Sequence, residues 1–461
     1  EMATQVTWTE VPAPVCEVPP KYPHLTKEVY DRRLARLRAR MKQEGLDAVV
    51  VYADREHAAN FSYLTGFGPR FEEALLIVLP EGTPTAVLGA ENVDMVHFTP
   101  VELKGVFYPT FGLMGQPRVN VPALEQILRE AGLERGMRVG TVGWKYYTEA
   151  DGCPPGSIEI PHFIVEALQA VGAEVRNGTQ LFMSPRDGLR TVLDAEEIVA
   201  YEYAACLVAR SILRVMDEAA PGKTEMELAA PMQNMGLPLS VHPMLSVGEK
   251  ARFGLTSPTD RVAARGDFLT TAYGIEGALT CRAAFLAAGP QDLAPEIRDW
   301  LERIAMPFYT FAARWLGEVG IGVSGGHIWN LAESLLPRAE WGWVLNPGHL
   351  IGVDEWISTP FTEGSDVQLQ SGNYIQLDLI IIPKPPYFGA DLEDGIVLAD
   401  EALRRQLERE YPDLWARFTR RREYLRNVLG IELGEDVLPM SDLLGYYRPF
   451  LLTREKALVV G

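Results

Sequence analysis

Hydrophobic positions in the first 180 residues switch repeatedly between helical and strand spacing. Residues 27–43 place Val29, Leu34, Leu37 and Met41 one helical turn apart among basic residues, which predicts an amphipathic helix. The apolar run at 47–54 predicts a buried strand, and two further strands follow at 72–82 and 84–90. Helical and strand patterns continue to alternate to about residue 180, a rhythm that predicts an α/β domain.

The pattern changes beyond a polar stretch at residues 184–197. A long helical pattern follows and ends at Pro221-Gly222, after which helical segments at 224–235, 296–317 and 326–337 are separated by short β-rich runs. This arrangement predicts an α+β domain. We therefore expect an α/β domain over residues 1–183, an α+β domain over 184–400 and a helical C-terminal extension over 401–461. The extension either packs on its own domain or a partner subunit, or carries Tyr446, Tyr447 and Phe450 into a pocket.

Composition and charge narrow the kinds of partner. The formal net charge is −19, from 43 basic and 62 acidic residues, and both nucleic acids and anionic membranes require a basic face. We therefore expect neither as a partner, and small molecules, peptides or other subunits remain. No apolar run reaches membrane-spanning length, and the acidic, proline-rich first residues do not resemble a secretory signal. Four widely spaced cysteines indicate free thiols in a reduced compartment, so we expect a cytoplasmic protein.

The densest polar cluster lies in and beside three apolar segments, at residues 346–356, 372–381 and 392–400. An ionised group in such a place needs a partner, a metal ion or a shifted pKa, which makes these side chains functional candidates. Two have ordinary alternatives, since Asp378 could cap a strand end and Glu393 could pair with an arginine. The candidates are His349, Asp354, Glu355, Asp378 and Glu393.

The order and spacing of these segments resemble the creatinase/prolidase/methionine-aminopeptidase family. In that family a GH motif, a strand-borne carboxylate and a final LED-like segment supply metal ligands, which the resemblance places here at His349, Asp378 and Glu393. Segments 189–209, 221–230 and 257–269 are similar to the family's entry helix, its turn and the approach to its first ligand strand. Residues 60–67 resemble its N-terminal substrate-side loop. The resemblance implies a ribonuclease H-like N-terminal domain followed by a "pita-bread" catalytic domain.

Two acidic ligands of the family are missing from this chain. Counting from Gly266 puts Ala272 at the first metal aspartate, and counting back from Arg282 puts Leu279 at the second. Leu255 or a neighbour replaces a further histidine. Two divalent ions need bridging carboxylates, so the resemblance implies a divergent member with either no metal or one ion on His349, Asp378 and Glu393.

The resemblance implies a hydrolase that cleaves an amide or guanidino C–N bond by acid/base chemistry, without a dinuclear centre, as creatinase does. The alternatives are a mononuclear Xaa-Pro dipeptidase or aminopeptidase, and a pita-bread protein that binds without turnover. The predicted acids and bases are His349, His242, Asp354, Glu355 and Glu393. His242 could equally be an ordinary core or loop residue.

The same resemblance predicts a homodimer that holds a small, carboxylated substrate. Arginines suit this task because their planar donors match a carboxylate. Arg70 could instead pair with Glu72 or Glu73, and Glu276 could belong to a surface turn. The predicted substrate-binding residues are Tyr63, Phe67, Arg70, Arg252, Glu276, Arg282 and Asp378.

A competing motif is Gly-Val-Ser-Gly-Gly at 322–326, which fits the nucleophile elbow of α/β-hydrolases. That motif requires a preceding strand, whereas residues 308–320 have a helical pattern. We therefore interpret Ser324 as part of a loop that caps the next helix.

Overall fold

The computed structural model describes residues 5–461 and divides the chain into two compact units. One unit is His24–Arg190, and the other joins the N-terminal arm, up to Pro23, to Thr191–Gly461. The expected boundary at 183/184 therefore lies seven residues later, and the arm does not belong to the N-terminal domain. The arm joins the C-terminal unit because its strand β1 (Val6–Glu10) pairs antiparallel with the last strand of the chain, Lys456–Val460.

The N-terminal unit is the predicted α/β domain. Helix Lys27–Glu44 buries Val29, Leu37 and Met41 as its spacing predicts. The six strands pair in the order β5-β4-β3-β2-β6-β7, with β2 parallel to β6 and antiparallel to β3. The strands are β2 (Ala48–Ala53), β3 (Ala74–Val78), β4 (Thr85–Leu88), β5 (Lys104–Phe107), β6 (Arg138–Val142) and β7 (Glu174–Asn177); the helices are α1 (Lys27–Glu44), α2 (Ala59–Thr65), α3 (Leu124–Glu130), α4 (His162–Val171) and α5 (Gln180–Met183).

The C-terminal unit is the predicted α+β domain. Its main sheet runs β11-β12-β13-β10-β9-β8, with β14 paired to β13, and every pairing is antiparallel. Its strands are β8 (Met244–Val247), β9 (Phe268–Ile275), β10 (Ala278–Phe285), β11 (His349–Leu350), β12 (Tyr374–Leu377), β13 (Asp391–Leu398), β14 (Val437–Pro439) and β15 (Lys456–Val460); its helices are α6 (Ala195–Glu218), α7 (Glu225–Ala229), α8 (Met306–Glu318), α9 (Gly325–Leu335), α10 (Arg338–Trp341), α11 (Glu401–Glu410) and α12 (Pro412–Asn427).

The C-terminal extension packs on its own unit. Tyr446, Tyr447 and Phe450 are fully buried, and the Tyr447 hydroxyl donates to the carbonyl of Ala283 on β10. On α12, Arg421 donates to the buried carboxylate of Glu202 on α6 at 2.7 Å. These aromatic residues therefore form core, which decides between the two predicted roles of the extension.

Ser324 caps α9, since its hydroxyl accepts from the backbone N–H of His327 at 3.2 Å. The preceding element is helix α8, so the strand that a nucleophile elbow requires is replaced by a helix. Within residues 5–461, no helix has both the length and the apolar character to cross a membrane.

Candidate functional site

A cavity of about 400 Å³ opens into the C-terminal unit, and its walls come from residues 241–393. The lining includes residues of strands β9, β10 and β13, of the segment 241–255, and of the loops on either side of β11 and after β12. Side chains alternate along β10, so Leu279, Cys281 and Ala283 line the cavity while Thr280 and Arg282 bond to Asp394 on the other face.

Three predicted residues meet at the inner end of the cavity. His349 begins β11, Asp378 directly follows β12 and Glu393 lies on β13, and each residue is at most 3% exposed. The His349 Nε2 lies 3.1 Å from Glu393 Oε1 and 3.8 Å from Asp378 Oδ2. One ligand atom from each residue falls within 4.8 Å of the others, close enough for all three to hold a single ion.

Burial shapes the protonation of this cluster. It raises the pKa of Asp378 and of Glu393 well above their usual ranges, and neighbouring carboxyls add to the shift. Burial also lowers the pKa of His349, although the charges of Asp378 and Glu355 oppose it. Without a bound cation the site therefore favours neutral groups that share protons.

The imidazole of His349 is held in one orientation. Its Nδ1 donates to the carbonyl of Leu350 at 3.2 Å, and its ring stacks on Trp356 with 4.1 Å between the centroids. This arrangement directs Nε2 towards the two acids, as a second hydrogen bond commonly does for metal-binding histidines.

Cys281 and Asp391 are site residues that the sequence reasoning missed. Cys281 Sγ donates to Glu393 Oε2 at 2.8 Å, and burial raises the pKa of its thiol well above the usual range, so it stays protonated. Asp391 lines the same cavity. Strand alternation could have identified both, since Cys281 is two residues beyond Leu279 and Asp391 two before Glu393.

The positions of the missing acids face the cavity as the spacing implied. Ala272 on β9 and Leu279 on β10 both line it, and neither can ligate a metal. The residues present therefore do not fit a dinuclear centre. They do fit one ion, because the donor set is nitrogen and oxygen and Asp378 Oδ1 is buried with no hydrogen-bond partner in the described part of the chain.

Of the predicted acids and bases outside this cluster, only Glu355 lines the cavity. Burial raises its pKa, and the nearby charge of His349 opposes that shift. Asp354 is not part of the lining, and its carbonyl accepts from Gly352 N. His242 is exposed and its Nε2 donates to the carbonyl of Leu255 at 2.9 Å, which corrects the prediction of a site role in favour of a loop histidine.

The predicted substrate arginines of this unit differ in outcome. Arg252 lines the cavity, with its guanidinium 4.1 Å from the ring centroid of Phe388 and a hydrogen bond to the carbonyl of Tyr387. Arg282 is 2% exposed on the opposite face of β10 and pairs with Asp394 at 2.6 Å, so its predicted substrate role is wrong. Glu276 lies in the β9–β10 turn, where its N–H donates to Pro238, and it too is outside the lining.

The other predicted substrate residues lie in the N-terminal unit. Tyr63 is buried there, with Arg33 4.2 Å over its ring and its hydroxyl donating to Leu189 at 3.1 Å. Phe67 meets Phe61 edge-on at 5.3 Å. Arg70 is exposed, with a left-handed φ of 47°. The contacts of Tyr63 are those of a core residue, and the substrate roles of Phe67 and Arg70 stay predictions.

Comparison with known proteins supports the resemblance. Residues 33–144 match the family model of the creatinase/prolidase N-terminal domain. A search among curated proteins found no match to this chain.

Solved structures share this fold over most of the chain at low sequence identity. Dipeptidase PepE from Mycobacterium ulcerans is 20% identical, with a TM-score of 0.60 over 82% of this chain and 95% of its own. The Xaa-Pro dipeptidase from Bacillus anthracis is 17% identical, with a TM-score of 0.61 over 81% and 96%. The N-terminal domain of the FACT complex subunit SPT16 from chickpea is 14% identical, with a TM-score of 0.57 over 82% and 95%. These likenesses confirm the expected fold.

Proposed function

We propose that this chain, which has the fold of the creatinase/prolidase proteins, hydrolyses a C–N bond of a small amide or dipeptide in the cavity that ends at His349, Asp378 and Glu393. The proposal places at most one divalent ion in that cavity. Of the functions predicted from the sequence, this proposal is closest to a mononuclear Xaa-Pro dipeptidase or aminopeptidase. Two of the three structural neighbours described above carry dipeptidase in their names, which favours this substrate class.

The observation that carries the proposal is the convergence of three ligand atoms within 4.8 Å at the closed end of the cavity. Buried acids beside a histidine are costly unless they serve a bound cation or a proton transfer. A protein that needed only a stable core would be expected to hold apolar residues at all five metal-ligand positions rather than at two.

An ion held by His349, Asp378 and Glu393 would act as a Lewis acid on the scissile carbonyl. The protein's own residues supply the remaining chemistry. Leu350 and Trp356 fix the imidazole of His349, and Trp356 shields it from bulk water. Burial raises the pKa of Glu355 above its usual value, and a carboxyl with a raised pKa is better suited to accept a proton and return it to a leaving nitrogen.

The test combines metal analysis with turnover. Protein stripped with chelator and reloaded with Zn²⁺, Mn²⁺ or Co²⁺ is assayed on Xaa-Pro and Xaa-Ala dipeptides, while metal content is measured by mass spectrometry. We expect no more than one ion per chain and metal-dependent cleavage. His349→Ala should lower kcat by at least about 100-fold. His327→Ala removes an exposed histidine of α9 and serves as the matched control, with activity retained.

A second candidate is metal-free acid/base hydrolysis, as predicted from creatinase. The replacement of acids by Ala272 and Leu279 favours it, as do the raised pKa values of Asp378 and Glu393, because a raised pKa favours the protonated form that can donate a proton. Full activity of the stripped protein would select this mechanism. Absence of C–N cleavage with every metal and substrate, or two ions per chain, would contradict the proposal. We also propose that the protein is a homodimer and that its substrate carries a carboxylate. Sedimentation of the purified protein tests whether it is a dimer.

A further inference from the structure

The cavity has an unusual distribution of polarity from mouth to inner end. Three apolar side chains at its mouth are strongly exposed: Phe253 at 71%, Val344 at 66% and Leu255 at 65%. The carboxyls of Asp378 and Glu393, in contrast, are buried, whereas the charged Arg252, which also lines the cavity, is partly exposed. Exposed apolar groups that rim a concave site are typical of ligand-binding surfaces, because a ligand that covers them removes apolar area from water.

Much of the wall between mouth and inner end is also apolar, and the hydroxyls of Thr270 and Thr271 in the lining are already bonded to the Ser246 hydroxyl and to the carbonyl of Met244. Ala272 and Leu279 face the cavity from neighbouring strands, and Met244, Ala283 and Ile380 complete this side. These side chains offer no ligand to an ion and no hydrogen bond to a polar substrate. They do provide a continuous surface for an aliphatic or aromatic group about as wide as the cavity.

The inner end offers acceptors that lack donors. Asp378 Oδ1 and Asp391 Oδ1 are buried and have no hydrogen-bond partner within residues 5–461, and both residues line the cavity. A buried acceptor without a donor is costly, so a ligand that brings N–H groups to this end would recover that energy. Asp391 is also outside the three-residue group that could hold an ion, so its acceptor stays available when a metal is bound.

We propose that the cavity binds a primary amine with a large apolar body, its N–H groups at the Asp378 and Asp391 carboxyls and its body against Ala272, Leu279 and the rim. For the hydrolase proposed above, on whose site this inference rests, the substrate is then an amide or dipeptide with a free amino group and a large apolar N-terminal side chain.

The test uses ligands with no bond to cleave. Butylamine, hexylamine and octylamine are titrated into the full chain by calorimetry, with and without Zn²⁺, beside the alcohols and carboxylic acids of equal length. We expect affinity to rise with chain length, by up to about fourfold for each methylene, and amines to bind more tightly than alcohols or acids. Equal affinities along the series, or acids that bind as well as amines, would overturn the inference.

Variants locate the binding site within the cavity. Leu279→Asn keeps the number and branching of the side-chain heavy atoms but makes the wall polar, and should weaken hexylamine binding by about tenfold. Ile321→Asn, at a 39% exposed loop position away from the cavity, is the matched control and should bind as the unaltered protein does. Asp391→Asn should reduce the preference for amine over alcohol while the dependence on chain length remains. Binding by a protein that cleaves no amide would reject the hydrolase proposal alone, whereas turnover without chain-length dependence would reject this inference alone.

Discussion

Ala272 and Leu279 decide how many ions the site can hold. Both side chains line the cavity beside the three remaining ligands, so an acid at either position would face the same space as His349 and Glu393. Bridging carboxylates are what offset the repulsion between two divalent ions. The loss of a dinuclear centre can thus be traced to two side chains on one hairpin.

Restoring both acids should therefore restore a second ion. We expect the double variant Ala272→Asp/Leu279→Asp to bind two Mn²⁺ or Zn²⁺ per chain, compared with at most one for the unaltered protein. Metal content after equilibrium dialysis measures this, and each single variant is a control. If the double variant holds no more metal than the unaltered chain, the space beside His349 is not a metal site.

Glu355 and Asp354 form a natural matched pair, since they are adjacent in sequence and only Glu355 lines the cavity. As a base with a raised pKa, Glu355 makes kcat rise with pH as its carboxyl loses a proton. Glu355→Gln should lower kcat by about 10²–10⁴-fold and remove that rising limb. Asp354→Asn should keep both the kcat of the unaltered protein and its rise with pH. An unchanged pH profile in Glu355→Gln would show that another group transfers the proton.

At the scale of elements, β10 separates a cavity face from a structural face. Leu279 and Cys281 point into the cavity, whereas Arg282 points away and donates to Asp394, to Leu443 O at 2.8 Å and to Tyr446 O at 3.2 Å. The arginine that resembles a family motif thus holds the C-terminal extension against the sheet.

This placement predicts an effect on stability rather than on substrate affinity. Arg282→Ala leaves Asp394 buried and unpaired, so the free energy of unfolding should fall by about 3–5 kcal/mol. Arg252→Ala is the control, since Arg252 lies partly exposed at the cavity, and it should change ligand affinity more than stability. Urea unfolding and ligand titration separate the two. If Arg282→Ala had normal stability but weakened substrate binding, Arg282 would be a substrate-binding residue after all.

The sequence predicted most elements and part of the site, and the exceptions have physical reasons. The strand that ends just before Asp378, the strand that carries Glu393 and the helix that carries Glu202 followed from hydrophobic spacing. Cys281 and Asp391 were missed because the family pattern, rather than strand alternation, selected the candidates. His242 could not be placed, because a histidine in a short loop has no periodicity to fix its direction.

At the scale of the whole molecule, contacts distant in sequence escape local patterns. The pairing of β1 with β15 joins residues more than 440 positions apart, and no hydrophobic period encodes it. The arm was assigned to the N-terminal domain for the same reason, since no local pattern shows that its strand pairs with the end of the chain. The two-domain order, in contrast, depends on local rhythm and was confirmed by structures that share the fold.

Buried acids also give the whole molecule a characteristic dependence of stability on pH. Burial raises the pKa of Asp391 to about 7, with Arg282 opposing the shift, whereas ion pairs hold the pKa of Glu202 below its usual value. An unfolded aspartate loses its proton near pH 4. Between about pH 4 and 7 the folded state therefore binds the extra proton at Asp391, so the free energy of unfolding falls as pH rises. Glu202 acts in the opposite direction and only at lower pH, where its protonation removes stability.

We therefore expect chelator-treated protein to lose stability steadily from pH 5 to pH 7, by an amount of the order of a few kcal/mol. Asp391→Asn has no proton to release and should make this decline less steep, because its folded and unfolded states bind equal numbers of protons at that position, whereas Asp378 and Glu393 still release theirs. Asp260→Asn, at an exposed aspartate, is the control and should keep the decline. Urea unfolding at half-unit pH steps measures the slopes. A slope that is the same in Asp391→Asn as in the unaltered protein would place the titrating acid elsewhere in the cluster, at Asp378 or Glu393.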